Sequence, residues 1–283
     1  MHKVSRRLSC GVASVLMMVP LAGHKIVFAA TAPQQVTQKK ALTQPSFAQH
    51  FQDLGIEGSI LIYDLKGNRT YQYNRDRNAT PFLPASTFKI LNSLIALETG
   101  VIANELSILT WDGVKRSIPD WNRDLNMQTA FEVSAVWFYQ VLARRIGPEQ
   151  MQEWVTKADY GNKDIGKATD IDTFWLTGNL RITPQEQIQF LRRLHSNELP
   201  FSEQAIATVK DIMLVEQTPD YTIRAKTGWA PEAQLGWYVG YVEQAENVYF
   251  FATNIIVDDE TDLGARAEVT RRSLKSLQLL SVK

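Results

Sequence analysis

Two rhythms of apolar and polar positions run along the chain. Gly58-Ser-Ile-Leu-Ile-Tyr-Asp64 is a short apolar run, Lys66-Gly67-Asn68 has turn chemistry, and Thr70-Tyr-Gln-Tyr73 alternates, so this stretch predicts an antiparallel hairpin. Towards the other end, Ile223 to Lys226, Gly236 to Glu243 and Val248 to Val257 predict three further strands. Between these lie helical patterns. The apolar run Ile90 to Leu97 predicts a helix over about Thr87 to Thr99: Pro84 disfavours helical geometry before it and Gly100 terminates it. A second helix is predicted over about Ala135 to Ile146, closed by Gly147-Pro148. Thr183-Pro184-Gln185-Glu186 is a capping box with proline at the first helical position, opening a helix to about His195. Val269 to Leu280 predicts a closing helix, and residues 111–168 read as loops and helices. Strands at both ends with helices between predict an α+β fold: an antiparallel β-sheet flanked by helices, with an adjoining all-helical lobe.

The first residues follow neither rhythm. Lys3, Arg6 and Arg7 precede an apolar stretch from Leu8 to Ala22, and Val27-Phe28-Ala29 suits signal-peptidase cleavage, so residues 1–29 read as a secretory signal. A membrane span fits less well, because Gly11, Pro20 and Gly23 interrupt a run shorter than the roughly 18 to 20 apolar residues a span needs. Ser5-Arg6-Arg7-Leu8 leaves the export route open. Residues 30–46 are too polar to bury and read as a mobile leader, leaving residues 47–283 as the globular domain.

Composition and charge narrow the partners. The whole chain carries 30 basic and 30 acidic residues. Removing residues 1–29 takes away Lys3, Arg6, Arg7 and Lys25, and the resulting acidic balance argues against nucleic acid. The single cysteine, Cys10, lies within the signal, so the mature chain has no disulfide and no cysteine metal ligand. Only His50 and His195 remain in it, too few and too distant for a zinc site or a Ser-His-Asp hydrolase, and there is no Gly-x-Ser-x-Gly elbow. His195, near a helix end, reads as a surface residue favoured by the helix dipole.

Candidate chemistry starts at Pro84-Ala85-Ser86-Thr87-Phe88-Lys89. On a helix, Ser86 and Lys89 share a face roughly 4.5 Å apart along the axis. A neighbouring base is what a serine hydroxyl needs to become a nucleophile, and the N–H groups of a helix start stabilise an oxyanion. Ser86 as a simple helix cap with a solvated Lys89 is the alternative. Three further stretches could complete a site: Ser134-Ala135-Val136 at a helix start, Tyr160-Gly161-Asn162 in a loop, and Lys226-Thr227-Gly228 at a strand end. Singly, each has a bland reading as a turn or strand end.

In this order and on these elements, the motifs resemble those of the penicillin-recognising serine enzymes, and among them the class D (oxacillinase-type) β-lactamases. The resemblance runs from about Ser59 to the final helix and includes Trp111-Asp112-Gly113, Trp121-Asn122-Arg123-Asp124 and Phe174-Trp175-Leu176. It departs from class A, where Ser-Asp-Asn stands in place of Ser134-Ala135-Val136 and a separate glutamate serves deacylation. Val136 can neither donate nor accept a hydrogen bond, so another base is needed. Bringing a lysine from about 10.4 to near 7 costs on the order of 4 to 5 kcal/mol, and apolar burial pushes in that direction.

The resemblance implies that Lys89 reacts with carbon dioxide to become N6-carboxylysine, the base for both acylation of Ser86 and activation of the hydrolytic water, with no metal and no other cofactor. Phe88, Val136 and Leu176 would wall the pocket, and the Trp175 indole N–H would hold the carbamate. Ser134 would relay a proton to the leaving nitrogen with Lys226 supporting it; Thr227 and Arg266 would bind the substrate carboxylate. The oxyanion would sit between the N–H groups of Ser86 and Trp229, beside Gly228. Two alternatives stay open: Arg266 as a surface residue near Asp262 and Glu268, and Trp121 as a packed core side chain rather than the entrance wall. The implied activity is hydrolysis of β-lactam antibiotics in the bacterial periplasm, penicillins first, with cephalosporins and carbapenems open. The implied partner is a small-molecule substrate, with no membrane after signal cleavage and either a monomer or a homodimer. A penicillin-binding transpeptidase or carboxypeptidase, or a non-catalytic β-lactam sensor domain, shares the same motifs.

Overall fold

Strict alternation along the central strands builds the architecture. The computed structural model describes residues 46–280; the predicted signal and all but the last residue of the predicted leader lie outside them. Six strands, β1 (Gly58–Asp64), β2 (Arg69–Tyr73), β3 (Leu214–Gln217), β4 (Tyr221–Ala230), β5 (Leu235–Gln244) and β6 (Asn247–Ile256), form one antiparallel sheet in the order β2-β1-β6-β5-β4-β3. The helices are α1 (Ala48–Asp53), α2 (Arg75–Asn78), α3 (Lys89–Glu98), α4 (Met127–Glu132), α5 (Val136–Ile146), α6 (Pro148–Lys157), α7 (Pro184–His195), α8 (Glu203–Ile212) and α9 (Ala265–Ser276).

Because successive strand residues point to opposite faces, β5 divides its side chains between two cores. Trp237, Val239 and Tyr241 join the core shared with α3 and α5 to α8, whereas Tyr238 and Val242 pack with Phe47 and Phe51 at α1 and with Val269 and Leu274 of α9. Phe250 and Phe251 of β6, and Leu61 and Ile62 of β1, divide in the same way. The predicted α+β class, the flanking helices and the helical lobe are all present.

Local signals set the helix ends. Thr183 accepts from the Glu186 amide at 3.1 Å, while the Glu186 carboxylate accepts from the Thr183 amide at 2.8 Å, and α7 starts at Pro184 as read. At its other end His195 is not simply a surface residue: its Nε2 lies 3.3 Å from a Glu243 carboxylate oxygen and its ring meets Tyr241 and Phe250 edge-on. The closing helix α9 begins four residues earlier than predicted and ends at Ser276, since a 3₁₀ turn at Glu260–Gly264 feeds directly into it. Strands β4 and β5 extend beyond the predicted apolar runs, because their mutual pairing continues unbroken from Tyr221–Gln244 to Ala230–Leu235, whereas β6 keeps its predicted length and lies one residue earlier. Strand β3, at the edge opposite β2, was not predicted, and its pairing spans only Thr222 to Arg224 of β4.

The helix predicted over Thr87 to Thr99 opens differently. Ala85–Phe88 is a 3₁₀ turn, and α3 proper starts at Lys89. With three residues per turn, positions i and i+3 eclipse, so Ser86 and Lys89 stand closer to one line than on an α-helix.

Tyr160-Gly161-Asn162 illustrates how a loop is locked behind that turn. The Tyr160 ring is fully buried, edge-on to Phe88 and Phe190. Asn162 accepts from the Arg181 amide and donates to the Asn179 carbonyl, both at 2.9 Å. Gly161 has φ +53°, and a Cβ there would stand 2.0 Å from the Arg181 carbonyl oxygen. Gly161→Ala should therefore lower the unfolding free energy by on the order of 2 to 4 kcal/mol. Chemical denaturation checks this, and a loss below about 0.5 kcal/mol would mean that the loop relaxes freely.

Candidate active site

One buried contact organises the site. Lys89 Nζ donates to Ser86 Oγ at 2.6 Å; Lys89 is wholly inaccessible and Ser86 is 8% exposed. Burial, and secondarily the charge of Lys226, pushes the Lys89 amine well below the ordinary lysine range. A neutral amine at this separation can accept the serine proton, and the reading of Ser86 as a simple cap beside a solvated lysine does not hold.

The turn carrying Ser86 is fixed from several sides. Ala85 has φ +49°, a left-handed conformation costly for a residue with a Cβ, and its amide donates to the Trp175 carbonyl at 2.9 Å. The Thr87 hydroxyl donates to the Pro84 carbonyl at 2.7 Å and accepts from the Gln187 side chain at 2.8 Å. Trp237 Nε1 donates to the Leu83 carbonyl at 2.8 Å. Strand β4 passes so close that a Cβ on Gly228 would lie 3.2 Å from the Thr87 side chain and 3.3 Å from the Pro84 carbonyl oxygen.

A second pair faces the first. Lys226 Nζ donates to Ser134 Oγ at 3.0 Å and lies 5.3 Å from the Phe131 ring centroid. Ser134 also has positive φ, +57°, two residues before α5. Burial, with the charge of Arg266 adding to it, lowers the Lys226 amine to about 7. Arg266 is itself lowered to about 10 by burial, and it donates to the Gly228 carbonyl at 2.7 Å. Asp262 and Glu268 are not its partners: Glu268 pairs with Arg272, and Asp262 accepts from the Asp259 amide. The surface reading of Arg266 is overturned.

These groups meet in a cleft of about 460 Å³ lined by Ser86, Ser134, Thr227, Gly228, Trp229 and Arg266 on its polar side and by Trp121, Val136 and Leu176 on its apolar side. Trp121 faces this cleft while donating to the Val133 carbonyl at 2.9 Å, so it is both wall and packed side chain. Ser117, Ile118, Thr177 and Glu232 also line the cleft. They carry no motif that would have marked them in the sequence. Nor did anything mark the buried Thr87–Gln187 hydrogen bond, which joins residues a hundred positions apart.

Beneath the cleft, Phe88 stacks on Trp175 at 5.4 Å and meets Phe174 edge-on; all three are fully buried. Phe88 thus belongs to the layer under the nucleophile rather than to the cleft wall. The Trp175 indole N–H is buried without a hydrogen-bond partner. A buried donor of that kind is costly and fits a group that adds an acceptor oxygen, as carboxylation of a lysine does. Tyr160, Gly161 and Asn162, read as possible members of the site, do not line the cleft; they hold the loop behind it.

Comparison with known proteins gives the same answer from overall sequence and shape. Residues 57–275 match the family model described as the penicillin binding protein transpeptidase domain. The chain is 43% identical over 237 residues to β-lactamase OXA-48 of Klebsiella pneumoniae, covering 83% of this chain and 89% of that one. Among solved structures, the class D β-lactamase YbXI from Nostoc superposes with a TM-score of 0.82 at 56% identity, covering 83% of this chain and 99% of that one. FUS-1 (OXA-85), a class D β-lactamase from Fusobacterium nucleatum subsp. polymorphum, superposes with a TM-score of 0.80 at 39% identity, covering 83% and 98%. With its serine and lysine sharing one dry turn under a penicillin-binding-type sheet, this chain belongs to the class D serine β-lactamases.

Proposed function

We propose that the protein hydrolyses β-lactam antibiotics, penicillins first, through an acyl-enzyme on Ser86, and that Lys89 acts in N-carboxylated form. The observation that carries this is the fully buried Lys89 amine, 2.6 Å from Ser86 Oγ. Residues 1–29 read as an export signal, which supports action in the bacterial periplasm and a role in antibiotic resistance.

Carbon dioxide bound on Lys89 supplies an anionic base in a water-poor pocket. Burial favours the neutral amine that such binding requires, Val136 and Leu176 limit water above it, and the unpartnered Trp175 N–H is a ready donor to it. Ser86 Oγ then gives up its proton towards Lys89 and attacks the lactam carbonyl carbon. The developing oxyanion takes hydrogen bonds from the amides of Ser86 and Trp229. As the lactam C–N bond breaks, the nitrogen receives a proton from the Ser134 hydroxyl, which Lys226 replenishes across their 3.0 Å contact. Thr227 and Arg266 hold the substrate carboxylate, with Gly228 leaving room beside them and Trp121 closing the entrance. Water then cleaves the Ser86 ester, releasing a product with one more carboxylate than the substrate and restoring the serine.

Turnover of a penicillin by the purified mature protein, with and without bicarbonate, tests the main reading. Sustained turnover enhanced by bicarbonate is expected, with Ser86→Ala and Lys89→Ala each reducing it by at least about a thousandfold. A single stoichiometric burst ending in a stable adduct would instead indicate a sensor or transpeptidase.

Val136→Asp places a like charge near the carboxylated lysine, and Trp175→Phe removes the indole donor. Both should raise the bicarbonate concentration that half-restores activity after decarboxylation; an unchanged value in both would exclude these roles.

The same burial makes stability depend on pH. Lys226 holds its proton up to about pH 7 when folded and up to about 10.4 when unfolded. Between those values the unfolded chain binds more protons, so the unfolding free energy rises with pH from about 7 towards 10 and stays on its lower plateau below 7. Lys226→Met should remove part of that rise in denaturant titrations run across this window, and an unchanged slope would show that Lys226 stays charged in the fold.

A further inference from the structure

A second cleft, of about 300 Å³, shares no residue with the catalytic one. Its walls come from the segment leading to the nucleophile, including Phe82 and Leu83, and from the turn joining β4 to β5, including Gln234. Two half-buried arginines line it, Arg77 and Arg181.

Both guanidinium groups are held in place without being neutralised. Arg77 Nε donates to Asn254 Oδ1 at 2.7 Å, and its guanidinium lies 4.7 Å from the Phe82 ring centroid. Arg181 Nη1 donates to the carbonyls of Gly178 at 2.6 Å and Leu180 at 2.9 Å. These contacts use one nitrogen of each fork. Neither arginine forms an ion pair among the described residues, although Arg69, Arg116, Arg144, Arg224, Arg271 and Arg272 all do. The carboxylate acting on Arg77 is that of exposed Glu57, beyond ion-pair distance. Burial outweighs it and holds the Arg77 guanidinium below its ordinary range. A partly desolvated cation with unused donors gains from an anion what water no longer supplies.

We infer that this cleft binds a small organic anion, a carboxylate on an apolar body, with the carboxylate met by Arg77 and Arg181 and the body resting on Phe82 and Leu83. The planar guanidinium forks suit a carboxylate's two oxygens. The volume is at the small end for ligand pockets, enough for one ring and its carboxylate. Leu83 stands three positions before Ser86, and its carbonyl accepts the Trp237 indole N–H, so occupancy is reported inside the protein by that indole.

Benzoate is a suitable probe, titrated calorimetrically into the full mature chain at constant ionic strength, with the Trp237 indole N–H resonance followed by NMR. Saturable binding that moves this resonance is expected. Arg181→Gln should weaken binding at least tenfold, and Arg77→Lys, which keeps the charge but loses the fork, should also weaken it. Arg266→Ala should leave it intact, which separates this cleft from the catalytic one. Absence of saturable binding, binding lost in Arg266→Ala, or affinity retained in both Arg77→Lys and Arg181→Gln would overturn the assignment. None of these readouts depends on catalytic turnover.

Discussion

The surroundings of Ser86 are built around one buried lysine. An amine in water holds its proton at neutral pH and is useless as a base. Full burial beside Ser86, with Lys226 adding an unfavourable like charge, pushes the Lys89 amine well below the ordinary lysine range. The cost is borne by the surrounding core. Phe88, Phe174 and Trp175 form a continuous aromatic layer beneath the turn, and the Tyr139 ring stands 5.4 Å from the amine. Tyr139 is tethered in turn by its hydroxyl to Ser93 at 3.0 Å. Opening this layer to water would remove the burial that lowers the amine.

Placement of the two serines relies on a different kind of constraint. Ala85 and Ser134 both occupy left-handed backbone conformations next to the reactive groups. Such conformations persist only where the surroundings over-determine them. Around Ala85 those surroundings are the Trp175 carbonyl, the Thr87–Gln187 hydrogen bond and the Trp237 bond to Leu83, which tie the turn to the loop before α7, to α7 itself and to β5. The sheet and the helical lobe therefore both contribute to the position of a single hydroxyl.

Much of this was legible in the sequence, and the differences have physical causes. Strand β1 was read to the residue because Gly58 and Asp64 bound its apolar run, and α7 was read from its capping box. Ser86 and Lys89 were found from their spacing, and Ser134 and Lys226 through the family resemblance that the ordered motifs carried; the structure pairs Ser86 with Lys89 and Ser134 with Lys226. Edge strand β3 went unseen because Leu214 and Val215 are exposed, so neither burial nor alternation marked it. The 3₁₀ opening of α3 was hidden because its residues also suit an α-helix. Tyr160-Gly161-Asn162 looked like part of the site because of its place in the order of motifs, yet hydrogen bonds to the backbone consume Asn162 and packing consumes Tyr160. Gln187 lacked any sequence signal, since its partner Thr87 is distant in the chain.

The short reach of β3 leaves the sheet unfinished at one place. Its pairing with β4 spans only Thr222 to Arg224, and from Thr227 to Ala230 β4 pairs with β5 alone and borders the cleft. An uncovered strand edge is ordinarily an invitation to aggregation. Here the stretch forms part of a cleft wall rather than an open face. The backbone there is answered in part from within, because the Arg266 guanidinium of α9 donates to the Gly228 carbonyl, so that a side chain far along the sequence takes up a main-chain acceptor beside the cleft.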